Sequence, residues 1–401
     1  MDKIDELLTR GVDTIYPTKE ELEKVLRSGK KLTLYQGFDP TGIQLHIGHM
    51  IGLRKLRQWQ DLGHHVIFLI GDGTGQAGDP SGKSRTRERF LTQEELRKNA
   101  TDYVKQAEKI IRFTGENAVE IRFNGDWLNK LSLVDMLNIA GNFSLQQLAE
   151  RDMFQEREKR GETINFREFL YPLLQAYDSV AMNVDLEIGG SDQTFNMLCG
   201  RTLVKEMLGK EKFVMTTPLL ADSQGVKIGK TEGNVIALND KPEDLYGKIM
   251  ALPDDVIVKG FEYLTDISMD EIEKINSLLS EKENPITYKK RLAHELVKQL
   301  HSEEDGKQAQ AHFESLFKDK EVPSDIPVNS FHRTEKGSLN ICELLLNTNL
   351  ETSLSAAKRL VEQGGISIDG KKIINPNEEI ILKDGMLLKA GKRRFVKIRY
   401  I

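Results

Sequence analysis

Two short motifs, far apart in the chain, carry residues suited to binding phosphate. The first is His46-Ile47-Gly48-His49 at a predicted helix start, and the second is Lys227-Ile228-Gly229-Lys230-Thr231 on a glycine-containing loop. Residues three apart share one face of a helix, so both imidazoles can face one anion beside the positive helix N-terminus. Two ammonium groups can neutralise charge on a transferring phosphoryl group. The motifs together predict nucleotidyl transfer from ATP and leave the activated acid open.

Each motif alone also has a simpler explanation. Histidines at a helix start can be ordinary surface residues, and a loop with two lysines is often an exposed basic turn. The functional interpretation is favoured because both motifs occur in one chain. It is also favoured because His46 follows a predicted strand through the turn Asp39-Pro40-Thr41-Gly42, the usual setting of an anion site. Gly48 has no side chain and would let a flat base lie against the backbone.

Glycines are concentrated after the second predicted strand. Gly73–Gly78 has the spacing of a dinucleotide fingerprint, but Asp79-Pro80 disfavours the helix that such a site needs. The segment from Gly78 to Ser84 is one residue too short for a P-loop. We therefore predict a glycine-rich loop that brings Asp79 to a ligand. A basic run follows that either contacts phosphate or is simply solvated, and it consists of Lys83, Arg85, Arg87 and Arg89.

A polar stripe runs along an otherwise apolar helix. Tyr171, Gln175 and Asp178 are four and three residues apart, which places them on one helix face. The neighbouring residues are apolar, so the helix is predicted to be buried, and buried polar groups need partners. The stripe either pairs within the protein or lines a pocket. Gly189-Gly190-Ser191-Asp192-Gln193 follows the next strand, where α/β sheets place ligand-binding groups.

Alternating strand and helix patterns predict how these residues are positioned. Strands are predicted at Lys31–Phe38, Val66–Ile70, 119–123, 184–188 and Phe213–Leu220, and helices at His49–Leu62, Glu94–Thr114, Leu131–Lys159 and Phe169–Met182. Strands separated by helices predict an α/β fold with a doubly wound, Rossmann-like parallel sheet. Ligands then bind beyond the carboxyl ends of the strands.

The pattern changes after about residue 238. Helix starts are predicted at Pro242, at Ser268 with its capping-box spacing, and at Pro285. The segment Lys318–Asn329 contains two prolines and is predicted to be a linker. The final part is predicted to hold a helix at Ser355–Gln363 and a strand–turn–strand around Asp369-Gly370.

Composition sets wide limits. A chain of 401 residues predicts two or three domains, and 39% hydrophobic with 30% charged residues is ordinary for a globular protein. The net charge of −5 does not by itself indicate a nucleic-acid partner. The segment from Met386 to Ile401, however, has no acidic residue, which is typical of either a phosphate-binding surface or a solubilising tail. Its basic residues are Lys389, Lys392, Arg393, Arg394, Lys397 and Arg399.

The same inventory predicts a cytoplasmic protein that does not enter a membrane. Only Cys199 and Cys342 occur, far apart and without metal-ligand spacing, which favours a reducing compartment. The N-terminus lacks an apolar signal region, and no apolar run approaches the length of a membrane span.

These residues resemble the signatures of class I aminoacyl-tRNA synthetases, and specifically the bacterial tyrosyl family, over nearly the whole chain. His46–His49 looks like the HIGH motif. Lys227–Thr231 looks like KMSKS, from which it departs at Ile228, Gly229 and Thr231 while keeping both lysines. The segment from Ser353 to Gly370 resembles an S4 RNA-binding domain. Further similar segments are Tyr35-Gln-Gly-Phe-Asp39-Pro-Thr41, Gly78-Asp79-Pro-Ser-Gly82, Tyr171-Pro-Leu-Leu-Gln175-Ala-Tyr-Asp178 and Gly190-Ser-Asp192-Gln193.

The resemblance implies an activity and a role for each site residue. The implied enzyme makes tyrosyl-AMP from L-tyrosine and ATP with Mg²⁺, without a protein-bound metal or other cofactor, and transfers tyrosine to the 3′ end of tRNA(Tyr). The implied catalytic residues are His46, His49, Lys227, Lys230 and Thr231. The implied tyrosine-binding residues are Tyr35 and Asp178 at the phenol, Asp79, Tyr171 and Gln175 at the ammonium group, and Gln193. The implied ATP and adenylate contacts are Gly37, Asp39, Thr41, His46, Gly48, His49, Gly190, Asp192 and Lys230. A loop for tRNA or pyrophosphate would carry Lys83, Arg85 and Arg87.

The resemblance also implies how the chain is divided and assembled. It implies a catalytic domain over 1–238, with the signature loop at 225–233, and a helical anticodon-binding domain over 239–320. A linker would occupy 321–337 and an S4-like domain 338–401. A homodimer is implied, through the region Leu131–Lys159.

The choice of substrate has a chemical reason beside the resemblance. An ionised Asp178 only accepts hydrogen bonds, a phenol donates one, and phenylalanine would leave Asp178 and Tyr35 unpaired. Two alternatives remain open. A tryptophanyl-tRNA synthetase shares the architecture, although the Tyr35/Asp178 pair argues against it. An RNA-binding or regulatory protein with an inactive synthetase body is disfavoured by the intact signature residues.

Overall fold

The structure is a computed structural model that describes residues 2–42, 44–81, 89–149, 151–228, 235–318, 326–331, 337–391 and 394–401. The chain forms two compact units, Met1–Gln310 and Ala311–Ile401. The finer domain boundaries, at residues 238, 320 and 337, stay predictions.

The first unit alternates strands and helices and then becomes helical. Its elements are α1 Lys3–Thr9, β1 Thr14–Tyr16, α2 Lys19–Arg27, β2 Thr33–Phe38, α3 Ile47–Asp61, β3 His65–Ile70, α4 Thr74–Ala77, α5 Gln93–Ala107, β4 Glu120–Phe123, α6 Gly125–Leu128, α7 Leu133–Ala140, α8 Leu145–Ala149, α9 Asp152–Lys159, α10 Phe166–Ala181, β5 Leu186–Gly190, α11 Thr194–Leu208, β6 Phe213–Thr217, α12 Pro242–Met250, α13 Ile257–Leu264, α14 Met269–Ser280, α15 Pro285–Leu300 and α16 Glu303–Lys318, the last of which crosses the boundary between the units.

The central sheet has the strand order β1-β6-β5-β2-β3-β4. Strands β2 to β6 are parallel, so the predicted α/β fold with a doubly wound sheet is confirmed. The short β1, which the sequence pattern did not reveal, adds an antiparallel edge. Strand order reverses between β2 and β5, and this switch point is where α/β sheets bind ligands. The segments after β2 and β5 therefore form the centre of the candidate site.

Burial explains why β3 was easy to predict. Its residues Val66–Ile70 are all buried, which is typical of a parallel strand covered by helices on both faces. The helix α3 begins at the N-cap residue His46 and buries Met50, Leu53, Leu56 and Trp59 beneath it.

Two sequence predictions about local structure are wrong. The single helix predicted at Leu131–Lys159 is three helices, α7, α8 and α9. Ser144 and Gln147 exchange side-chain and backbone hydrogen bonds at 3.0 and 3.2 Å, which begins α8 anew, and the extended backbone of Arg151 separates α8 from α9. The predicted loop at Gly73–Gly78 contains the one-turn helix α4, because Asn124 Oδ1 accepts the Gly73 N–H at 2.7 Å.

The second unit is small and rich in strands. Its elements are β7 Val328–Phe331, β8 Ser338–Asn340, α17 Ile341–Asn347, α18 Leu354–Glu362, β9 Ile366–Ile368, β10 Lys371–Ile373, β11 Glu379–Ile381, β12 Leu387–Ala390 and β13 Arg394–Tyr400. Five strands form a sheet in the order β10-β9-β12-β13-β7, and β8 pairs with β11. The predicted turn at Asp369-Gly370 is present, with positive φ at both residues, and joins β9 to β10.

No helix in the described ranges has the length and apolar character needed to cross a membrane.

A buried ion pair joins α9 to α10 away from the sheet. Arg157 Nη1 donates to Glu168 Oε2 at 2.6 Å, and the two side chains are 0% and 7% exposed. The guanidinium also donates to the Thr163 carbonyl at 2.8 Å. Removing one partner from such a pair leaves the other charged group buried without compensation.

We expect Arg157→Met to lower the free energy of unfolding by about 3–5 kcal/mol, because Glu168 then stays buried and unpaired. The double variant Arg157→Met/Glu168→Leu should cost much less, since neither charge remains. Urea unfolding followed by circular dichroism measures both. Equal destabilisation by the single and double variants would contradict this account.

Candidate active site

The two histidines of the first motif hold each other in place at the start of α3. His46 Nδ1 accepts the Gly48 N–H at 3.1 Å, and His49 Nδ1 accepts the His46 N–H at 3.1 Å. Their ring centroids are 3.9 Å apart. Because each Nδ1 is an acceptor, the proton of each neutral ring is on Nε2. The motif thus combines two Nε2–H donors with a helix N-terminus, an arrangement suited to an anion.

The second motif is tied to the first on both of its sides. On the far side, Ile47 N donates to Ile236 O and Leu238 N donates to Leu45 O, both at 3.0 Å. On the near side, a Cβ added to Gly48 would lie 3.9 Å from the Ile228 carbonyl. Motifs that are remote in sequence therefore meet, as their chemistry requires.

The near lysine of the second motif reaches across the switch point. Lys227 Nζ lies 3.0 Å from Asp192 Oδ2, and both side chains are partly exposed. The other predicted catalytic residues of this motif, Lys230 and Thr231, lie outside the described residues. The same holds for Lys83, Arg85 and Arg87 of the basic run.

One buried polar group of the site is the carboxyl group of Asp178 on α10. Trp127 Nε1 donates to its Oδ1 at 2.8 Å and Asn124 Nδ2 donates to its Oδ2 at 3.0 Å. Burial raises the pKa of Asp178 well above its usual value, and the two donors oppose that rise. The Tyr35 hydroxyl on β2 is close enough for the charge of Asp178 to help raise its pKa, after burial and Glu187. A hydroxyl that keeps its proton and a buried carboxyl group thus lie near each other in the interior.

A second polar group gathers around Asp79. Gln193 Nε2 donates to Asp79 Oδ2 at 2.9 Å, and the Ser81 N–H donates to Oδ1 at 2.8 Å. Gln175 Nε2 donates to Glu187 Oε1 at 2.9 Å. Gln175 Oε1 is buried and has no hydrogen-bond partner among the described residues. A carboxylate and an unpaired amide oxygen suit a ligand that donates hydrogen bonds, such as an ammonium group.

Asp39 links these groups to the end of β2. Tyr171 Oη donates to Asp39 Oδ2 at 3.0 Å, and Thr74 Oγ1 donates to Oδ1 at 2.7 Å. Thr41 N donates to the Asp39 carbonyl at 2.7 Å, which tightens the turn toward His46. The polar stripe of α10 and the turn after β2 therefore face each other.

Two of the predicted glycines lie at the carboxyl ends of strands. Gly37 is exposed near the end of β2. Gly190 ends β5, where an added Cβ would lie 2.8 Å from Asp192 Oδ1. A side chain at Gly190 would displace that carboxylate, so the absence of one keeps Asp192 in place.

Several residues of the site were missed by sequence reasoning. They are Thr74, Ser81, Asn124, Trp127, Ser179, Glu187 and Lys212. Asn124 and Trp127 follow β4 at its carboxyl end, so their position was an available signal. Glu187 stands in a buried strand, where a charged residue requires a partner. Lys212 had no comparable signal, because it lies at the amino end of β6.

The described residues contain no group of three or more His, Cys, Asp or Glu side chains arranged to hold a metal ion.

Known proteins resemble this chain in sequence and in fold. The profile of the family "tRNA synthetases class I (W and Y)" matches residues 27–318. The chain therefore belongs to this family of aminoacyl-tRNA synthetases.

The full-length relatives of this chain are tyrosine–tRNA ligases. The tyrosine–tRNA ligase of Thermotoga maritima is 42% identical over 394 residues, which cover 98% of this chain and 96% of that protein. Tyrosine–tRNA ligase 2 of Clostridium acetobutylicum is 40% identical over 99% of both chains. A C-terminally truncated mitochondrial tyrosyl-tRNA synthetase of Aspergillus nidulans has a TM-score of 0.65 at 26% identity and covers 79% of this chain and 94% of its own.

The indole of Trp127 should stabilise the fold in a pH-dependent way. Burial raises the pKa of Asp178 in the folded protein above its value in the unfolded chain, which is about 3.9 for an ordinary aspartate. The contribution of Asp178 to the free energy of unfolding therefore decreases as the pH rises above that value. The Trp127 N–H stabilises the ionised form. We therefore expect Trp127→Phe to lower the free energy of unfolding by about 1.5–3 kcal/mol at a pH where Asp178 is ionised, and by clearly less at a lower pH where it is protonated.

Trp59→Phe is the matched control, measured by urea unfolding at the same two pH values. Trp59 is fully buried, and its Nε1 has no partner among the described residues. Its replacement should cost the same at both values. An equal pH dependence for the two variants would exclude the assigned role of Trp127.

Proposed function

We propose that the chain is a tyrosine–tRNA ligase, which makes tyrosyl-AMP from L-tyrosine and ATP·Mg²⁺ and then transfers tyrosine to the 3′ end of tRNA(Tyr). The observation that carries the proposal is the buried pair of Asp178 and Tyr35. A substrate phenol would donate to the carboxylate and accept from the Tyr35 hydroxyl. Phenylalanine has no hydroxyl and would form neither of these two hydrogen bonds, so one buried site on Asp178 and one on Tyr35 would stay unfilled, which is costly. Tyrosyl-tRNA synthetases are themselves the established example of such discrimination.

The other end of the amino acid would be bound by acceptors. The ammonium group of tyrosine would donate to the Asp79 carboxylate, to Gln175 Oε1 and to the oxygen of Tyr171. Gln193, which holds Asp79, would complete this end. Gln175 supports the assignment most directly, since its buried Oε1 lacks a partner among the described residues and an ammonium N–H would supply one.

Activation needs no enzyme nucleophile. A carboxylate oxygen of tyrosine attacks the α-phosphorus of ATP, and the bond from that phosphorus to the bridging oxygen of pyrophosphate breaks. The protein supplies position and charge. His46 and His49 would donate their Nε2–H groups to phosphate oxygens, and Lys227, Lys230 and Thr231 would bind the same phosphates from the second motif. Mg²⁺ would arrive with ATP and offset part of its charge.

The ribose side of ATP would lie over the carboxyl ends of β2 and β5. Asp39, Thr41 and Asp192 would be its polar contacts, while Gly37, Gly48 and Gly190 let the nucleotide approach the backbone. Bound ATP would separate Lys227 from Asp192, because Lys227 would then contact the phosphates and Asp192 the ribose. An exposed ion pair stabilises by about 1 kcal/mol or less, so this exchange costs little.

The second unit would bind tRNA. Lys397 and Arg399 are exposed on β13, where they alternate with buried Val396 and Ile398. Lys389 lies on the adjacent strand β12, which pairs with β13. Cations on one sheet face suit the phosphate backbone of RNA. The basic run with Lys83, Arg85 and Arg87 would contact the tRNA end or pyrophosphate, and the work would take place in the cytoplasm.

The proposal is tested by amino-acid-dependent exchange of pyrophosphate into ATP. We expect exchange with tyrosine and far less with tryptophan or phenylalanine. His46→Asn should slow adenylate formation by roughly ten- to a hundredfold, the equivalent of one charge-assisted hydrogen bond, while tyrosine binding changes little. Exchange with tryptophan would indicate a tryptophanyl-tRNA synthetase instead. No exchange with any of the three would favour a non-catalytic RNA-binding role, and an unchanged rate in His46→Asn would contradict the phosphate clamp.

We also propose a homodimer formed through α7 and its neighbours. Leu133, Val134 and Leu137 share one side of α7 and are 62–75% exposed. Leu145 and Phe166, at the starts of α8 and α10, are 65% and 70% exposed. Clustered exposed apolar side chains mark interaction surfaces.

Leu137→Asp should convert the dimer to a monomer, because it places a charge in an apolar interface. Sedimentation velocity measures the change. Ile286→Asp on α15 is the control, since Ile286 is an exposed apolar residue on a different helix and its replacement should leave the mass unchanged. A wild-type monomer, or a Leu137→Asp dimer, would disprove the assigned interface.

A further inference from the structure

A second fully buried ion pair lies behind the residues proposed to bind tyrosine. Lys212 Nζ donates to Glu187 Oε2, and the two side chains are 0% and 2% exposed. Gly200 on α11 leaves room for the ammonium group, since an added Cβ would lie 2.5 Å from Nζ. An apolar pair of similar volume would serve stability equally well or better. Stability therefore gives no reason for two charges at this place.

One arm of the pair leads to Tyr35. Lys212 Nζ donates to Ser179 Oγ at 2.8 Å, and Ser179 Oγ lies 2.9 Å from Tyr35 Oη. Because the ammonium group has only donors, Ser179 Oγ accepts from it and keeps one proton to give. That proton goes to Tyr35 at 2.9 Å or to Glu187 Oε2 at 3.3 Å, and the shorter contact is with Tyr35. If Ser179 donates along this shorter contact, Tyr35 accepts from it and has its own proton left to donate elsewhere.

The other arm leads to Gln175. Glu187 Oε1 accepts the Gln175 Nε2–H at 2.9 Å. A carboxylate only accepts hydrogen bonds, so it determines which end of the Gln175 amide faces it. The amide oxygen is thereby turned away from Glu187, as the buried acceptor without a partner among the described residues. One ion pair thus prepares a donor at Tyr35 and an acceptor at Gln175.

We propose that Lys212 and Glu187 are positioning residues for tyrosine recognition, Lys212 orienting the Tyr35 hydroxyl through Ser179 and Glu187 orienting the Gln175 amide. The inference rests on the proposed function. With tyrosine bound, hydrogen bonds run in one direction from Lys212 through Ser179, Tyr35 and the substrate phenol to Asp178. Such a chain joins a buried ammonium group to a buried carboxylate, and its bonds polarise one another.

Two double variants separate hydrogen-bond direction from charge. Lys212→Met/Glu187→Leu removes both charges and every hydrogen bond of the pair. Lys212→Met/Glu187→Gln removes the same charges but keeps an amide that can donate to Ser179 and accept from Gln175. Each is compared with the wild-type chain for kcat/KM in pyrophosphate exchange with tyrosine and with phenylalanine, and for the KM of ATP.

We expect the apolar variant to lower the tyrosine-to-phenylalanine ratio of kcat/KM about tenfold, the equivalent of one hydrogen bond, mainly through the KM of tyrosine. A further decrease in kcat/KM that is equal for tyrosine and phenylalanine would be the effect of losing the orientation of the Gln175 amide. The amide variant should keep most of the ratio, and the KM of ATP should stay unchanged in both. Ser179→Ala, which leaves the ion pair intact, should reproduce the fall in the ratio by itself.

Arg157→Met/Glu168→Leu is the control, because it removes a buried ion pair that touches none of these residues. It should leave the ratio unchanged. The inference is overturned if Ser179→Ala, or a folded apolar variant, keeps the wild-type ratio of kcat/KM for tyrosine to that for phenylalanine. It is also overturned if this ratio falls as far in the amide variant as in the apolar variant, or as far in the control. A wild-type chain without tyrosine-dependent exchange would instead overturn the proposed function.

Discussion

The charged and polar groups at the base of the site are removed from water, and this constraint shapes what surrounds them. A buried carboxylate such as Asp178 persists only where the protein supplies donors. Here Asn124 and Trp127 come from the end of β4, which ties α10 to the far side of the sheet. Glu187 and Lys212 are satisfied in the same way, across β5 and the start of β6. The buried, hydrogen-bonded base of the site that results is suited to the recognition of a small polar substrate.

The order of strands in the sheet makes the rest of the site possible. Reversal between β2 and β5 places Asp39, the histidine motif and Asp192 around one opening. The backbone pairing of residues 45–47 with 236–238 then brings the second motif to the first, across almost two hundred residues of chain. In the proposed function, recognition of the amino acid thus takes place in the interior and phosphate chemistry at the edge of the site. That division suits a reaction in which the amino acid must be distinguished before it is activated.

Much of this could be predicted from residue order because the signals were local and periodic. The central strands are continuous or alternating apolar runs, and the spacing of Tyr171, Gln175 and Asp178 is a helical period. The failures have local causes as well. The helix predicted over Leu131–Lys159 ignored the reciprocal Ser144–Gln147 cap, and the glycine pattern at Gly73–Gly78 concealed a turn of helix held by Asn124. The strand β1 has three residues, which is too few to show a period.

Residue order alone therefore predicted the fold class, the two motifs suited to phosphate and the polar face of α10, since each depends on neighbours in sequence. It could not establish which donor meets which acceptor. Lys212, Glu187, Ser179 and Tyr35 come from three strands or strand ends and a helix, and their order in the chain says nothing of their contact. Hydrogen bonds form only within about 3 Å and in a narrow range of directions. Those conditions exist only once the sheet and helices have packed, so the orientation of Tyr35 and Gln175 is a property of the folded protein.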